Sequence, residues 1–283
     1  MDTNSSEATA VKWISEADGI LVTAGAGMGI DSGLPDFRGS TGFWRAYPAL
    51  GAEGVTFRDI ANGMAFRVDP KRAWGFYGHR LMLYRNTLPH AGFDILRRWA
   101  QSKPHGTFVF TSNVDGQFQK AGFSDQQIME CHGSIHHLQC AAACMSSIWS
   151  AEGFNPDVDD RRCLLRSALP ACPRCGEVAR PNILMFNDWA WLEERTEMQQ
   201  ARLNAWLSNV RQLVVVEVGA GLAIPTVRNL SERHAPRVIR INPDDSAIDP
   251  KTGIQLVGSA LEVLQALDAQ MLGDYCSVAS GGL

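Results

Sequence analysis

Apolar runs of strand length alternate with helix-like patterns along this chain. Four compact apolar runs predict buried parallel strands, because each ends in a polar or glycine-containing turn: 19–23, 108–111, 213–218 and 237–242. Helical periodicity predicts helices between and around them, at 8–17, 91–100, 194–210, 226–233 and 260–272. Strands and helices that alternate with short turns predict an α/β fold with a Rossmann-like, doubly wound parallel sheet.

Two segments do not follow this alternation. Residues 40–89 are rich in aromatic and arginine residues and predict a helical insert, whereas residues 135–180 contain cysteines and are expected to be irregular. We therefore expect a Rossmann-like domain and a small domain, the former built from 1–39, 90–134 and 181–283 and the latter from the two inserts, 40–89 and 135–180. The small domain would cover the carboxyl ends of the strands, where ligands bind in such sheets.

Composition narrows the class of protein. The chain has 283 residues, a net charge of −4, 45% hydrophobic and 20% charged residues, which is typical of a globular protein. The charge and the lack of a Lys/Arg run argue against a nucleic-acid partner. No apolar stretch approaches the ~20 residues of a membrane span, and the N-terminal segment resembles neither a signal nor a transit peptide. We expect a cytoplasmic protein without a membrane partner; its oligomeric state is left open.

A glycine-rich turn follows the first predicted strand. Gly25, Gly27 and Gly29 would let the backbone approach a pyrophosphate, and the N-terminus of a following helix favours an anion. A tight turn without a ligand is the alternative. The turn lacks the Gly-Lys-Ser/Thr ending of a P-loop.

Several further blocks occur in a fixed order along the chain. They are SGLPDFR at 32–38, GFW at 42–44, TSNVDG at 111–116, CHGS at 131–134, two cysteine pairs, RP at 180–181, VGAGL at 218–222, IN at 241–242 and GSA at 258–260. In this order they resemble the sirtuin family, over residues 11–272.

The resemblance implies an NAD-dependent protein-lysine deacylase that acts on an acylated protein or peptide and produces nicotinamide and O-acyl-ADP-ribose. It implies catalytic roles for Asn113, Asp115 and His132. Among these, His132 would be the general base that deprotonates a ribose hydroxyl, since imidazole accepts a proton near neutral pH. The implied NAD contacts are Gly25, Ala26, Gly27, Asp36, Phe37, Arg38, Ser112, Asn113, Val114, Asp115, His132, Gly219, Ala220, Gly221, Asn242 and Ala260.

Two cysteine pairs lie in the second insert. Cys140 and Cys144 are four residues apart, and Cys172 and Cys175 are three apart in a Cys-Pro-Arg-Cys-Gly turn. Four thiolates at these spacings predict a closed, tetrahedral, structural Zn²⁺ site. A redox pair or ordinary buried thiols are the alternatives.

The helical insert carries a Tyr-x-x-Arg motif at Tyr77 and Arg80. Residues three apart share a helix face, and a phenol with a guanidinium can grip a carboxylate. The motif resembles that of sirtuins that remove succinyl or malonyl groups, where it recognises the distal carboxylate. An aromatic core residue beside a solvated arginine is the alternative.

The sequence departs from the family pattern at several positions. Gly29 replaces a serine, Ala220 lies where a hydroxyl residue is usual, and Asn187 replaces the glycine of a Phe-Gly-Glu rim. Trp189 and Trp191 follow this rim, and would either reshape the acyl-lysine entrance or pack against the helical insert.

Two other functions remain open on the same scaffold. An ADP-ribosyltransferase or an NAD glycohydrolase would keep the NAD cleft but change the acceptor. A non-enzymatic NAD sensor is a third reading, which the presence of Asn113, Asp115 and His132 disfavours.

Overall fold

The computed structural model describes residues 3–35 and 39–280. Within them the helices are α1 (Thr3–Glu16), α2 (Gly39–Ala46), α3 (Pro48–Ala52), α4 (Phe57–Ile60), α5 (Ala65–Val68), α6 (Pro70–Asn86), α7 (Ala91–Gln101), α8 (Gln117–Lys120), α9 (Glu194–Asn209), α10 (Thr226–Arg233) and α11 (Ala260–Ser280). The strands are β1 (Gly19–Ala24), β2 (Thr107–Thr111), β3 (Ile128–Glu130), β4 (Gly133–Cys140), β5 (Trp149–Ser150), β6 (Val158–Asp159), β7 (Leu164–Leu165), β8 (Ala179–Ile183), β9 (Leu213–Val218), β10 (Val238–Ile241) and β11 (Gly253–Leu256).

Six strands form a parallel sheet in the order β11-β10-β9-β1-β2-β3. The chain leaves β1 toward β2 on one side, and β9 leads to β10 on the other. The order therefore reverses between β1 and β9, which is the topological switch point where such sheets bind ligands. The predicted Rossmann-like, doubly wound sheet is confirmed.

Side chains alternate between the two faces of the sheet along each strand, and helices cover both faces. Ile20 and Val22 of β1 enter a core shared with α1, α7 and α11. Leu21 enters the opposite core, which α9 and α10 complete. Thr23 lies on the α10 side as well, where its hydroxyl bonds that of Ser231 at 2.8 Å.

All four predicted strands and all five predicted helices are present, but the sheet has two more strands than the four predicted. These are the edge strands β3 and β11, of three and four residues. Glu130 and Gln255 leave neither strand a continuous apolar run, so only their pairing to β2 and β10 defines them. The helix predicted at 260–272 extends to Ser280. Among the described residues, no helix combines the length and the apolar character that crossing a bilayer requires.

The second insert is more regular than expected. Strand β4 pairs antiparallel with β5 and β8, and β6 pairs with β7, so the expectation of an irregular segment is wrong. The pairing runs from Gly133 to Ile183, beyond both ends of the predicted 135–180. Backbone hydrogen bonds between β4 and β8 define the limits of this paired region. The cysteine pattern in the sequence does not indicate these limits.

The first insert is helical, as predicted, and shares one apolar core with the small sheet. Trp74 of α6 is buried and donates from Nε1 to the carbonyl of Ala179 at 2.8 Å. Gly75 lies so close to the segment between β6 and β7 that a Cβ there would meet the carbonyl oxygen of Cys163 at 2.1 Å. The two inserts therefore form one module.

Candidate active site

The loops after β1 and β9 touch each other at the switch point. A Cβ on Gly25 would lie 2.6 Å from the carbonyl oxygen of Gly219, and one on Gly27 would lie 2.6 Å from the Gly219 Cα. Gly219 itself has φ +63, a conformation that favours glycine. These glycines are required for the contact between the two loops, a reason for them that the sequence reasoning missed.

Gly29 packs against Leu34. A Cβ at position 29 would meet Cδ1 of Leu34 at 2.8 Å, and this end of the buried leucine side chain would have to shift.

Two residues that the sequence reasoning missed anchor this loop. The ring of His90 accepts from Gly92 N at Nδ1 (3.0 Å), so Nε2 carries the proton and donates to the carbonyl of Met28 at 2.9 Å. The carboxylate of Asp31 accepts from Leu261 N at 2.7 Å, at the start of α11. In the sequence, His90 stands immediately before a predicted helix, and this position indicates an N-cap residue.

The TSNVDG block lies beside the glycine turn. Asn113 donates from Nδ2 to the carbonyl of Gly25 at 2.9 Å, and its own N–H donates to the hydroxyl of Thr111 at 3.0 Å. Ser112 N donates to Ala24 O at 3.1 Å. The predicted residues at 25 and 113 are therefore brought together.

His132 follows β3 and reaches the same block. Burial lowers the pKa of His132 below its usual value, although the backbone of Ser112 beside the ring opposes this shift. The ring is therefore mainly neutral at pH 7. A neutral imidazole has one nitrogen without a proton and is suited to act as a base.

Asp115 is a buried carboxyl in the same block. Burial raises its pKa to about 6, and Glu130 adds to this, while the N–H of Gln117 and the charge of Arg80 lower it. Its Oδ1 accepts from Gln117 N at 2.9 Å, and its backbone carbonyl accepts from His136 Nε2 at 2.9 Å. These two hydrogen bonds fix the turn around Asp115, whose ionised carboxylate is costly to bury.

Replacing Asp115 with asparagine is expected to stabilise the fold at pH 8. The folded pKa of about 6 exceeds the unfolded value of 3.8, so burial of the ionised form costs stability above pH 6, and that cost disappears below pH 3.8. The difference corresponds to about 3 kcal/mol as an upper bound. We expect Asp115→Asn to gain about 2 kcal/mol at pH 8 and almost nothing at pH 4. Urea unfolding at both pH values measures this, and equal stability of the two proteins at pH 8 would contradict it.

The predicted contacts on the adenosine side include residues that hold the loops together. Asn242 is buried and donates from Nδ2 to the carbonyl of Ala220 at 3.0 Å, while its Oδ1 accepts from the N–H groups of Asp244 and Asp245. Arg228 donates two more hydrogen bonds to the same Ala220 carbonyl, at 3.1 and 3.0 Å. Asn242 therefore orders the loop after β9 through its whole side chain.

The other predicted NAD contacts differ in their surroundings. Ala26 is exposed, Gly221 is half-buried, and Ala260 is buried where α11 begins. Val114 packs in the core of the small module, and its carbonyl accepts from Ile135 N at 3.0 Å. Asp36, Phe37 and Arg38 lie outside the described residues.

The departure at Asn187 is explained by the backbone. Its φ is +50, where asparagine is among the few tolerated residues other than glycine. The next residue, Asp188, pairs with Arg180 through two hydrogen bonds of 2.6 and 2.9 Å, with both side chains almost fully buried. The rim is thus a tight turn secured by a buried bidentate ion pair.

The two tryptophans after the rim have different surroundings. Trp189 is 98% exposed, so it does not pack against the helical insert. Trp191 is half-buried. The backbone of Ala190, between them, is bonded on both sides, to Asp188 Oδ1 at 3.3 Å and to Gln139 Nε2 at 2.6 Å. The backbone that follows Trp189 is therefore held in place.

Tyr77 and Arg80 lie together inside the small module, 1% and 8% exposed. The guanidinium carbon of Arg80 is 5.8 Å from the centre of the Tyr77 ring. Its Nε and Nη2 both donate to the hydroxyl of Tyr84, at 2.9 and 2.6 Å. Burial raises the pKa of Tyr77, and the phenol stays protonated. The alternative of a solvated arginine is wrong, and Tyr84 is a member of the cluster that the motif did not include.

Four cysteines form a cluster in the second insert. The Sγ atoms of Cys140, Cys144, Cys172 and Cys175 all lie within 4.8 Å of one another. The pairs Cys140–Cys175 and Cys144–Cys172 are 3.7 and 3.6 Å apart. Bonds of about 2.3 Å to a tetrahedral zinc ion place the sulfurs about 3.8 Å apart. The cluster is therefore compatible with structural zinc.

The backbone around Cys172 supports the interpretation of the cluster as a zinc site. Burial disfavours ionisation of Cys172, but the N–H groups of Cys175 and Arg174, together with the thiols of Cys144 and Cys175, outweigh it and lower its pKa to about 7. Gly176 has φ +77 and donates to Cys172 O at 3.0 Å, which closes the turn. A thiolate-stabilising turn is what zinc binding requires.

Removing zinc is expected to unfold the second insert. We expect Cys172→Ser, or a strong chelator, to release one zinc per chain and to lower stability by several kcal/mol. Thermal unfolding and zinc content are measured together, with Cys131→Ser as the control for loss of a thiol outside the cluster. An unchanged melting temperature in Cys172→Ser would contradict the site.

Cys131 and Cys163 lie outside this cluster. Burial raises the pKa of each thiol to about 12. Both are therefore protonated at neutral pH and poor nucleophiles.

Residues 25–216, more than half of the chain, match the Sir2 family. The chain therefore belongs to the Sir2 family and is an enzyme. This confirms the family resemblance drawn from the ordered blocks.

Similar proteins extend over nearly the whole chain. An NAD-dependent protein deacylase of Pyrococcus furiosus is 28% identical over 260 residues, covering 90% of this chain and 94% of that protein. An NAD-dependent protein deacylase of Methylococcus capsulatus is 29% identical over 259 residues, covering 90% and 92%. A solved Sir2 homologue in complex with NAD superposes with a TM-score of 0.72 at 23% identity, covering 94% of each chain, and so shares the fold.

Proposed function

We propose that this enzyme removes acyl groups from lysine side chains of proteins and consumes NAD, with nicotinamide and O-acyl-ADP-ribose as products. The observation that carries the proposal is the buried, mainly neutral ring of His132 beside Ser112, next to Asn113 and the glycine turn. The names of the similar proteins, NAD-dependent protein deacylases, support the same activity.

The residues at the switch point fit a dinucleotide. The loops carrying Gly25 and Gly219 leave the carboxyl ends of adjacent strands, where diphosphates bind in this class of sheet. NAD, when bound there, supplies a ribose carbon activated toward loss of nicotinamide. We assign Asn113 and Asp115 to the ordering of that end of the cleft and His132 to accepting a proton from a ribose hydroxyl. Asp36, Phe37 and Arg38 are proposed to cover the nicotinamide ribose.

Product analysis tests the proposed function. The enzyme is incubated with NAD alone and with NAD plus acylated peptides, and all products are weighed by mass spectrometry. We expect acyl-ADP-ribose and free nicotinamide only when an acylated peptide is present. ADP-ribosylated protein, or ADP-ribose alone, would indicate the transferase or glycohydrolase instead, and unconsumed NAD would exclude all three activities.

We further propose that the enzyme prefers acidic acyl groups such as succinyl or malonyl. Arg80 is a buried cation whose orientation Tyr84 fixes, with the Tyr77 ring beside it. Its charge also favours ionisation of Asp115, so the guanidinium lies near the catalytic block. A carboxylate that reaches a desolvated guanidinium gains far more than it does in water.

A further inference from the structure

A cavity of about 480 Å³ lies between α9 and α10, over β2 and β3. Its size is within the range of small-molecule sites, about 300–1,000 Å³. It lies on the sheet face that these two helices cover, and the NAD-binding loops described above do not line it.

The floor of this cavity is apolar, whereas its walls also carry amide, hydroxyl, guanidinium and imidazole groups. Phe110 and Met129 from the strands and Leu203 and Leu230 from the helices form the floor and are themselves buried. The cavity therefore combines an apolar floor with a polar rim.

The wall formed by α9 is half polar. Residues 200, 203, 204 and 207 share one face of α9, and two of them are amides. Gln200 donates to Asn204 at 2.8 Å, so the two side chains bond to each other along α9.

The end of α10 gives the cavity its charge. Arg233 and His234 line it, whereas no Asp or Glu of the described chain does. Arg233 donates from Nε to Asn229 O at 3.1 Å, and no described carboxylate pairs with it. Burial lowers the pKa of His234, and the charge of Arg233 lowers it further. At pH 7 the site thus offers one positive charge beside a neutral imidazole.

We propose that this cavity binds a medium-length aliphatic carboxylate, with its chain on the apolar floor and its carboxylate on Arg233. The apolar floor excludes small inorganic anions as good ligands, and the single cation favours a monoanion over a neutral lipid. The ligand binds without a covalent bond, since the Cys131 thiol in the cavity wall is protonated. Cys131 immediately precedes His132, so the ligand lies behind the segment that carries the proposed base.

Calorimetric titration of the full chain with octanoate and with neutral octanamide tests the site. We expect saturable binding of octanoate, about fivefold tighter than that of octanamide. Arg233→Gln should remove this difference, whereas Arg161→Gln, an exposed arginine of the second insert, should leave it unchanged. Leu207→Trp fills the cavity and should abolish binding of both ligands. If Leu207→Trp does not fold, Asn204→Trp on the same wall takes its place.

Three results would overturn the proposal. Wild-type protein that does not bind octanoate saturably has no such site. Binding that survives the tryptophan substitution lies elsewhere on the molecule. Equal affinity for octanoate and octanamide in the wild type removes the role of Arg233. None of these measurements requires deacylase activity, so they stand apart from the test of the proposed function.

Discussion

Replacing His132 with alanine is expected to lower kcat/KM for deacylation roughly 10²- to 10⁴-fold, the usual contribution of a positioned base. The ring is mainly neutral at pH 7 because burial lowers its pKa, so a ring nitrogen can accept a proton. The substitution removes this acceptor but leaves the glycine turn and its bond to Asn113 in place. NAD binding should therefore persist while turnover falls.

The control separates loss of the base from loss of the fold. His105→Gln changes a histidine near the start of β2, at the opposite end of the sheet, and should keep full activity. Melting temperature and NAD affinity are measured for both variants. A His132→Ala enzyme that keeps more than about a tenth of wild-type kcat/KM would show that another group accepts the proton.

Hydrophobic patterning predicted most of the large domain because its central strands are buried on both faces. The strands β1 and β9 read as nearly continuous apolar runs, in which Thr23 and Glu217 are the polar positions, and the doubly wound order follows from their alternation with helices. The edge strands β3 and β11 were missed because neither is a continuous apolar run: β3 has two apolar residues before Glu130, and Gln255 interrupts β11. In the second insert, β4 was missed because polar residues such as His136 and His137 interrupt its apolar positions.

The candidate site was predicted from motifs, and the structure changes the reasons for several of them. Gly25 and Gly219 are required for the contact between two loops as well as for any ligand, a cause that involves residues nearly 200 positions apart. Asn187 departs from the glycine of the family pattern, and its positive φ explains why glycine or asparagine suits the turn. Contacts between segments that are distant in sequence determine these roles. The residue pattern along a single sequence does not reveal such contacts.

The buried cluster around Arg80 shows the same limit. Tyr77, Arg80 and Tyr84 lie at i, i+3 and i+7 on α6, so the sequence could place all three on one helix face. It could not tell a solvated arginine from a buried one, because burial depends on how the helical insert packs on the small sheet. Because the Arg80 guanidinium is buried, its substitution is expected to change the proposed acyl preference strongly.

Arg80→Met is expected to lower kcat/KM for a succinylated peptide about 100-fold and to change that for the acetylated peptide little. The difference is about 3 kcal/mol, the value of a charge-assisted bond in a desolvated site. Tyr77→Phe should cost the succinylated peptide about tenfold, since it removes one neutral donor. Matched peptides that differ only in the acyl group are compared at saturating NAD.

Two further variants show whether charge or orientation is responsible. Lys71→Met removes a positive charge from the exposed start of the same helix and should leave both substrates unaffected. Tyr84→Phe keeps the Arg80 charge but removes the hydroxyl that accepts from Nε and Nη2, so the loss for the succinylated peptide should be intermediate. A wild-type enzyme that prefers the acetylated peptide, with the succinyl-to-acetyl ratio unchanged by Arg80→Met, would rule out the carboxylate contact. The guanidinium would then serve to hold α6 and Tyr84 in the core of the small module.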